Sequence, residues 1–235
     1  MTWPVWLIIG LGVAAAIGLA CWKPIRQDLK YHQFADTHPW GRMPNGWNVW
    51  SNAPFVVVGL AGLIWLAGHS VPQRWIWVIF YLGVALTGFG SAYYHIRPCN
   101  ETLVWDRLPM TIAFMPLFAA LIAERVNERA GVWLCGPLLV LGVGSVFYWK
   151  KTDDLRPYAW VQFFPMLAIP LLAWFCPAKY LPARDIFIVI GWYGLAKVTE
   201  ALDAPLLRLT GVSGHSFKHI AAAVAPGWLL WALAR

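Results

Sequence analysis

The chain has 235 residues, 60% of them hydrophobic and only 12% charged, with a mean hydropathy of +0.57. Soluble domains carry roughly 25% charged residues, so this composition excludes an ordinary soluble globule and describes an integral, multi-pass membrane protein. The net charge of +7 comes from Lys and Arg residues spread between apolar runs, which fits loop cations that hold topology and speaks against a nucleic-acid partner.

Taken in order, the apolar runs predict eight helices, given that a span needs about 20 apolar residues. They cover residues 3–22, 47–67, 75–95, 103–124, 132–149, 158–175, 186–203 and 215–233. The predicted fold is an all-α polytopic membrane protein without repeats or low-complexity runs. The 17 Trp residues mostly flank the runs, at headgroup level. No Lys or Arg precedes the first run, and its length is that of a full crossing. It reads as a retained helix rather than a signal peptide, although Gly18-Leu19-Ala20-Cys21 weakly resembles a lipoprotein cleavage site.

Residues 23–46 form the longest connection, a surface segment with turns at Pro39-Trp40-Gly41 and Pro44-Asn45-Gly46. Cys21, Cys99, Cys135 and Cys176 show no paired spacing. Basic residues are more numerous in the loops on one side, which places both termini outside the cytoplasm. In a prokaryote the host bilayer would be the plasma (inner) membrane.

With eight crossings, the ends of spans three, five and seven and the starts of spans two, four and eight reach one membrane face. The polar residues gather there: Asn48, Ser51 and Asn52 open span two, Ser91 and His95 close span three, and Asp106 opens span four. Tyr148 closes span five, Glu200 and Asp203 close span seven, and His215 and His219 open span eight. Ionisable residues inside a membrane are costly and by default functional.

Three neutral imidazoles are a common catalytic zinc set with a fourth position free for water. His95, His215 and His219 can supply it, the last two sharing a helix face through their i, i+4 spacing. The bland alternative is that each histidine bonds a neighbouring helix. Asp106 is the natural general base for water whose pKa zinc lowers to about 7, unless it only pairs with Arg107. Ser91, one turn before His95, can donate to an oxyanion. Lys197 and Glu200 suit a buried ion pair. Asp203 can orient a metal-bound imidazole from behind, a supporting place also open to Asn48 and Asn52.

Ser91-x-x-x-His95, ten intervening residues, Asp106-x-x-Pro109-Met110 and a closing His215-x-x-x-His219 resemble the alkaline ceramidases of the CREST membrane-hydrolase superfamily, here in a bacterial-type member. Trp47-Asn48-Val49-Trp50-Ser51-Asn52 resembles the opening of their first core helix. The resemblance implies a seven-helix catalytic core over 47–235, with 1–46 as an added transmembrane helix and connector. It further implies zinc on His95, His215 and His219, with Ser91 and Asp106 assisting cleavage of an N-acyl amide in a membrane lipid. Tyr148 resembles a tyrosine lining the family's substrate cavity.

Two departures stand out. The acidic calcium-binding segment of animal members is missing, with Asn45 at a carboxylate position, so calcium is not predicted. Lys218 stands where the family has an aromatic residue near the substrate, and either attracts an anionic headgroup or, the preferred expectation, snorkels to the interface. Two other functions remain open: a receptor-like member of the superfamily with structural zinc, and a metal-free serine hydrolase using Ser91. Headgroup, acyl length and oligomeric state are not fixed by the sequence.

Overall fold

A backbone in lipid has to satisfy its own hydrogen bonds, and the apolar runs accordingly fold as helices. The computed structural model describes residues 2–235. Helices are α1 Trp3–Cys21, α2 Gly46–Trp50, α3 Ala53–Gly68, α4 Arg74–Ile96, α5 Asn100–Arg125, α6 Glu128–Thr152, α7 Arg156–Phe175, α8 Ala183–Ala201, α9 Asp203–Thr210 and α10 Gly214–Ala234. Among the described residues there is no strand, only an isolated bridge between Trp40 and Met43. The protein is an all-α polytopic membrane protein.

Seven stretches are long and apolar enough to cross a bilayer: α1, α2 with α3, α4, α5, α6, α7 and α10. The eighth expected span corresponds to α8, 19 residues that include Arg184, Asp185, Lys197 and Glu200. Its charges fall near its two ends. Asp185 at its start pairs with Arg235 at the end of α10, and Glu200 near its end pairs with Lys218 in the first turns of α10. Thus α8 runs antiparallel to α10 over the same depth, with a largely apolar stretch between its charged tips.

Helix order fixes which ends meet. α4 packs along α5, α5 along α6, α3 along α4, and α8 along α10. Two glycines permit the closest approaches. A Cβ on Gly90 would lie 2.0 Å from the Trp105 carbonyl oxygen, and one on Gly214 would lie 2.1 Å from that of Thr199. Gly90 therefore brings Ser91 against the turn of α5 that carries Asp106, and Gly214 seats the start of α10 on the end of α8. Trp77, Tyr81, Met115 and Leu172 fill the core, while Ile64, Trp133, Val140 and Trp174 face outward as lipid contacts.

The first helix lies along α7, where the Trp160 indole donates to the Gly12 carbonyl at 2.9 Å. Arg156 at the start of α7 donates to the Ala20 and Trp22 carbonyls, at 3.0 and 2.6 Å, and so satisfies the open end of α1. The same guanidinium pairs with Asp154 at 2.8 Å, and its hydrogen bonds hold that carboxyl below the usual carboxylate range. Both chain ends lie at the opposite end of the bundle, Trp3 against Phe175 and Arg235 on Asp185.

Residues 22–45 cross the end of the bundle where α4 stops and α10 begins. Leu155 N donates to Ile25 O at 2.8 Å, Ala35 N to Asp203 Oδ2 at 2.9 Å, and the Asn45 amide to His95 O at 2.7 Å.

Candidate metal centre

The site is assembled by two short turns. Between α4 and α5, the Thr102 hydroxyl donates to Arg97 O at 2.7 Å and accepts from Cys99 N at 3.3 Å, so the chain reverses within three residues and leaves His95 and Asp106 at similar depth. At the start of α10, Ser213 caps the helix by accepting from Ser216 N at 3.1 Å. The Ser213 and Ser216 hydroxyls both donate to Asn48 Oδ1, at 3.1 and 3.0 Å, and the Asn48 amide donates to Asp36 O at 2.9 Å. Asp203 Oδ1 accepts from His215 N at 2.9 Å.

These clasps bring His95, His215 and His219 together, at 1%, 6% and 3% exposure. One ligating atom from each lies within 4.8 Å of the others. Nε2 of His95 and Nε2 of His215 are 3.2 Å apart, while Nδ1 of His219 meets the Ser51 hydroxyl at 2.8 Å. Nδ1 of His95 is buried without a partner. Phe34 packs over the rings of His95 and His215 at centroid distances of 4.7 and 4.5 Å. A neutral imidazole offers one donor and one acceptor, and although a single proton can bridge His95 and His215, three rings converging within 4.8 Å bring three possible nitrogen ligands to a common centre. That donor set fits a divalent cation and leaves room for a further ligand.

A cavity of about 350 Å³ reaches this cluster at His219 and runs into the bundle. Its polar end is lined by Ser91, Asp106, Arg107, Glu200, Lys218 and His219. Its shaft is apolar, formed by residues such as Phe80, Leu117, Leu121, Ile169, Ile190 and Leu229. One end suits a hydrogen-bonding head and the other an acyl chain.

Ser91 and Asp106 both line the cavity, and Asp106 makes no ion pair with Arg107. Other expected residues fall differently. Lys218 does not snorkel outward. Its Nζ turns to Glu200 at 2.6 Å, because the half-buried Glu200 carboxylate lies within direct reach; Glu200 also pairs at 2.9 Å with Lys197, which is exposed, so that pair is not the buried one expected. Tyr148 is 45% exposed and outside the cavity lining. The buried stripe of α6 runs Gly142, Ser145, Val146 and Trp149, and Tyr148 lies off it.

Asp203 holds the backbone of His215 and Ala35 rather than an imidazole. Asn48 likewise fastens the first turn of α10, and the Asn52 amide bonds the Asn48 carbonyl at 2.7 Å. The residue that touches an imidazole from behind is Ser51.

Tyr31, Tyr158 and Gln162, outside the expected set, also line the cavity. Tyr158, Gln162, Pro165 and Ile169 recur at helical spacing along α7, a stripe visible in the sequence. Tyr31 and Phe34 come from the connecting segment and carry no such signal.

A sequence model described as Ceramidase matches residues 43–174, more than half of the chain. The match takes in Ser51, Ser91, His95 and Asp106 but ends before His215 and His219, which join the set only through the fold. A search of curated proteins returns no match.

Proposed function

Since the chain belongs to the ceramidase family, which implies amidohydrolase chemistry on ceramide-type lipids, we propose that it is a zinc-dependent intramembrane hydrolase cleaving the N-acyl amide of a ceramide-like lipid. The observation that carries the proposal is the buried cluster of His95, His215 and His219, which meets through His219 the polar end of a cavity whose remainder is mostly apolar. A divalent cation held by those imidazoles supplies Lewis acidity toward the amide carbonyl and makes water a nucleophile near neutral pH.

The chain's own residues do the rest. The apolar shaft takes the acyl chain and sets the carbonyl carbon at the polar end. Asp106 accepts a proton from the attacking water and returns it to the nitrogen as the C–N bond breaks, yielding a fatty acid and an amine. Ser91 donates to the carbonyl oxygen as it gains charge. Phe34 keeps bulk water off His95 and His215.

A serine nucleophile fits less well. Among the described residues it is Ser51, not Ser91, that hydrogen-bonds an imidazole.

The test uses protein purified in detergent, with metal measured by plasma mass spectrometry and fatty acid release from N-acylsphingosine measured by liquid chromatography–mass spectrometry. About one equivalent of zinc, activity abolished by a chelator, and an Asp106→Asn variant that keeps its metal but loses about 10²–10⁴-fold in rate are expected. Metal-replete protein that releases no fatty acid from any lipid amide would leave the receptor-like alternative in place.

A further inference from the structure

Arg107 lies in the wall of the cavity's polar end without an ion-pair partner. It is 6% exposed and takes part in none of the ion pairs among the described residues. Nη2 donates to Gln27 Oε1 at 2.7 Å, and Nη1 is buried without a partner. The guanidinium carbon sits 4.3 Å from the Trp149 ring centroid, 4.8 Å from that of Tyr158 and 5.6 Å from that of Tyr31. Aromatic faces attract a cation and make its burial tolerable, yet they give no reason for a charge where an apolar side chain would cost less.

The surrounding charges sharpen the point. Lys197 and Lys218 share Glu200 between them, at 2.9 and 2.6 Å. Asp106 lies beside Ser91. Arg107, Lys197 and Lys218 therefore face only Asp106 and Glu200 in the cavity lining, an excess of positive charge before any metal is counted. Tyr31 and Tyr158, which flank the guanidinium, line the same cavity with hydroxyls available as donors.

We propose that Arg107, framed by Tyr31 and Tyr158, binds an anionic oxygen group of the amphiphile in the cavity, a phosphate, sulfonate or carboxylate that its planar fork of donors matches. The proposal rests on the amidase reading for its substrate. Two sources carry such a group: an acidic headgroup beside the scissile amide, or the fatty acid carboxylate that cleavage releases.

The experiment compares kcat/KM for N-acylsphingosine and N-acylsphingosine 1-phosphate in wild type, Arg107→Gln and Arg107→Lys. Alongside it, binding of dodecyl phosphate is measured in uncharged detergent, with dodecanol, myristate and inorganic phosphate as comparison ligands.

For a headgroup site, wild type favours the phosphorylated lipid by about tenfold or more. Arg107→Gln brings the ratio near one, and Arg107→Lys keeps part of the preference. For a product site, the two lipids are cleaved alike, but myristate inhibits wild type and not Arg107→Gln. Inorganic phosphate competing as well as dodecyl phosphate would show that the amphiphile's chain is not read, and would overturn the assignment to this cavity.

Dodecyl phosphate binding that depends on Arg107 in a protein that cleaves neither lipid would uphold the anion site while the amidase reading falls. Should Arg107→Gln fail to fold, wild type alone decides by its preference for dodecyl phosphate over dodecanol. No lipid preference, no myristate inhibition and equal binding of dodecyl phosphate and dodecanol overturn the proposal.

Discussion

The two ends of the bundle both bury charge, and they do it in opposite ways. At the end that holds both termini, Glu124 is 0% exposed and pairs with Arg125 at 2.5 Å. One Glu124 oxygen accepts from the backbone of Lys179, Tyr180 and Leu181, and Arg125 donates to the carbonyls of Cys176 and Leu181. Asp185 takes Arg235 and the Trp228 indole. These groups spend their bonds on the turn from α7 to α8 and on the end of α10, and neither Glu124 nor Arg125 lines the cavity. At the other end, three imidazoles converge on one another, and His95 Nδ1 and Arg107 Nη1 lack partners, whereas Glu124 Oε2 and Arg125 Nε, which make no hydrogen bond either, face each other as an ion pair. Polar groups that close on the chain itself hold a fold, whereas those left over around a cavity are available to a ligand.

The contrast predicts distinct failures. His219→Ala should reduce amide hydrolysis by about 10³-fold or more and release the metal, since a two-imidazole remnant no longer makes the set. Rate and metal content measured on the same preparation test both. Glu124→Ala should act on stability instead, by about 3–5 kcal/mol, because it strands the Arg125 charge and three backbone N–H groups. Chemical unfolding would show the loss, while turnover per folded molecule stays near wild type. A Glu124→Ala protein of normal stability would break the comparison.

Ser51→Ala is a finer probe. It removes the contact to His219 Nδ1 and should weaken metal affinity about 10–100-fold, read by competition with a chromophoric chelator. The smallest effect is at Asp154, whose carboxyl is held low by Arg156. A lowered folded-state pKa means stabilisation that is complete above the unfolded value of about 3.9 and disappears as pH falls through the folded one. The gap in unfolding temperature between wild type and Asp154→Asn should hold steady near neutrality and close below about pH 4.

The helices were legible because each had an apolar run of suitable length, and the three histidines because parity of crossings put them at one face. Rotation about each helix axis was not so legible. Tyr148 and Trp149 are neighbours in sequence, yet only Trp149 is on the side of α6 that packs inward. The fate of Lys218 depended on where the end of α8 came to rest. Ser51 was noticed as polar but not as the partner of His219, since that contact joins residues 168 positions apart. The alternative pairing of Asp106 with its neighbour Arg107 does not form, because successive residues on a helix do not face each other.

The ring of Phe34, lying across two of the three imidazoles, belongs to a run of chain hydrogen-bonded to the bundle along its length, from Ile25 and Gln27 through His32, Ala35 and Asp36 to Asn45. Both products of the proposed cleavage, a fatty acid and a long-chain amine, keep a hydrocarbon tail and belong to the bilayer, whereas the water that the reaction consumes comes from outside it. Residues 22–45 thus put a bonded ceiling over the imidazoles, and a slow step of the proposed reaction is to be sought where water passes it.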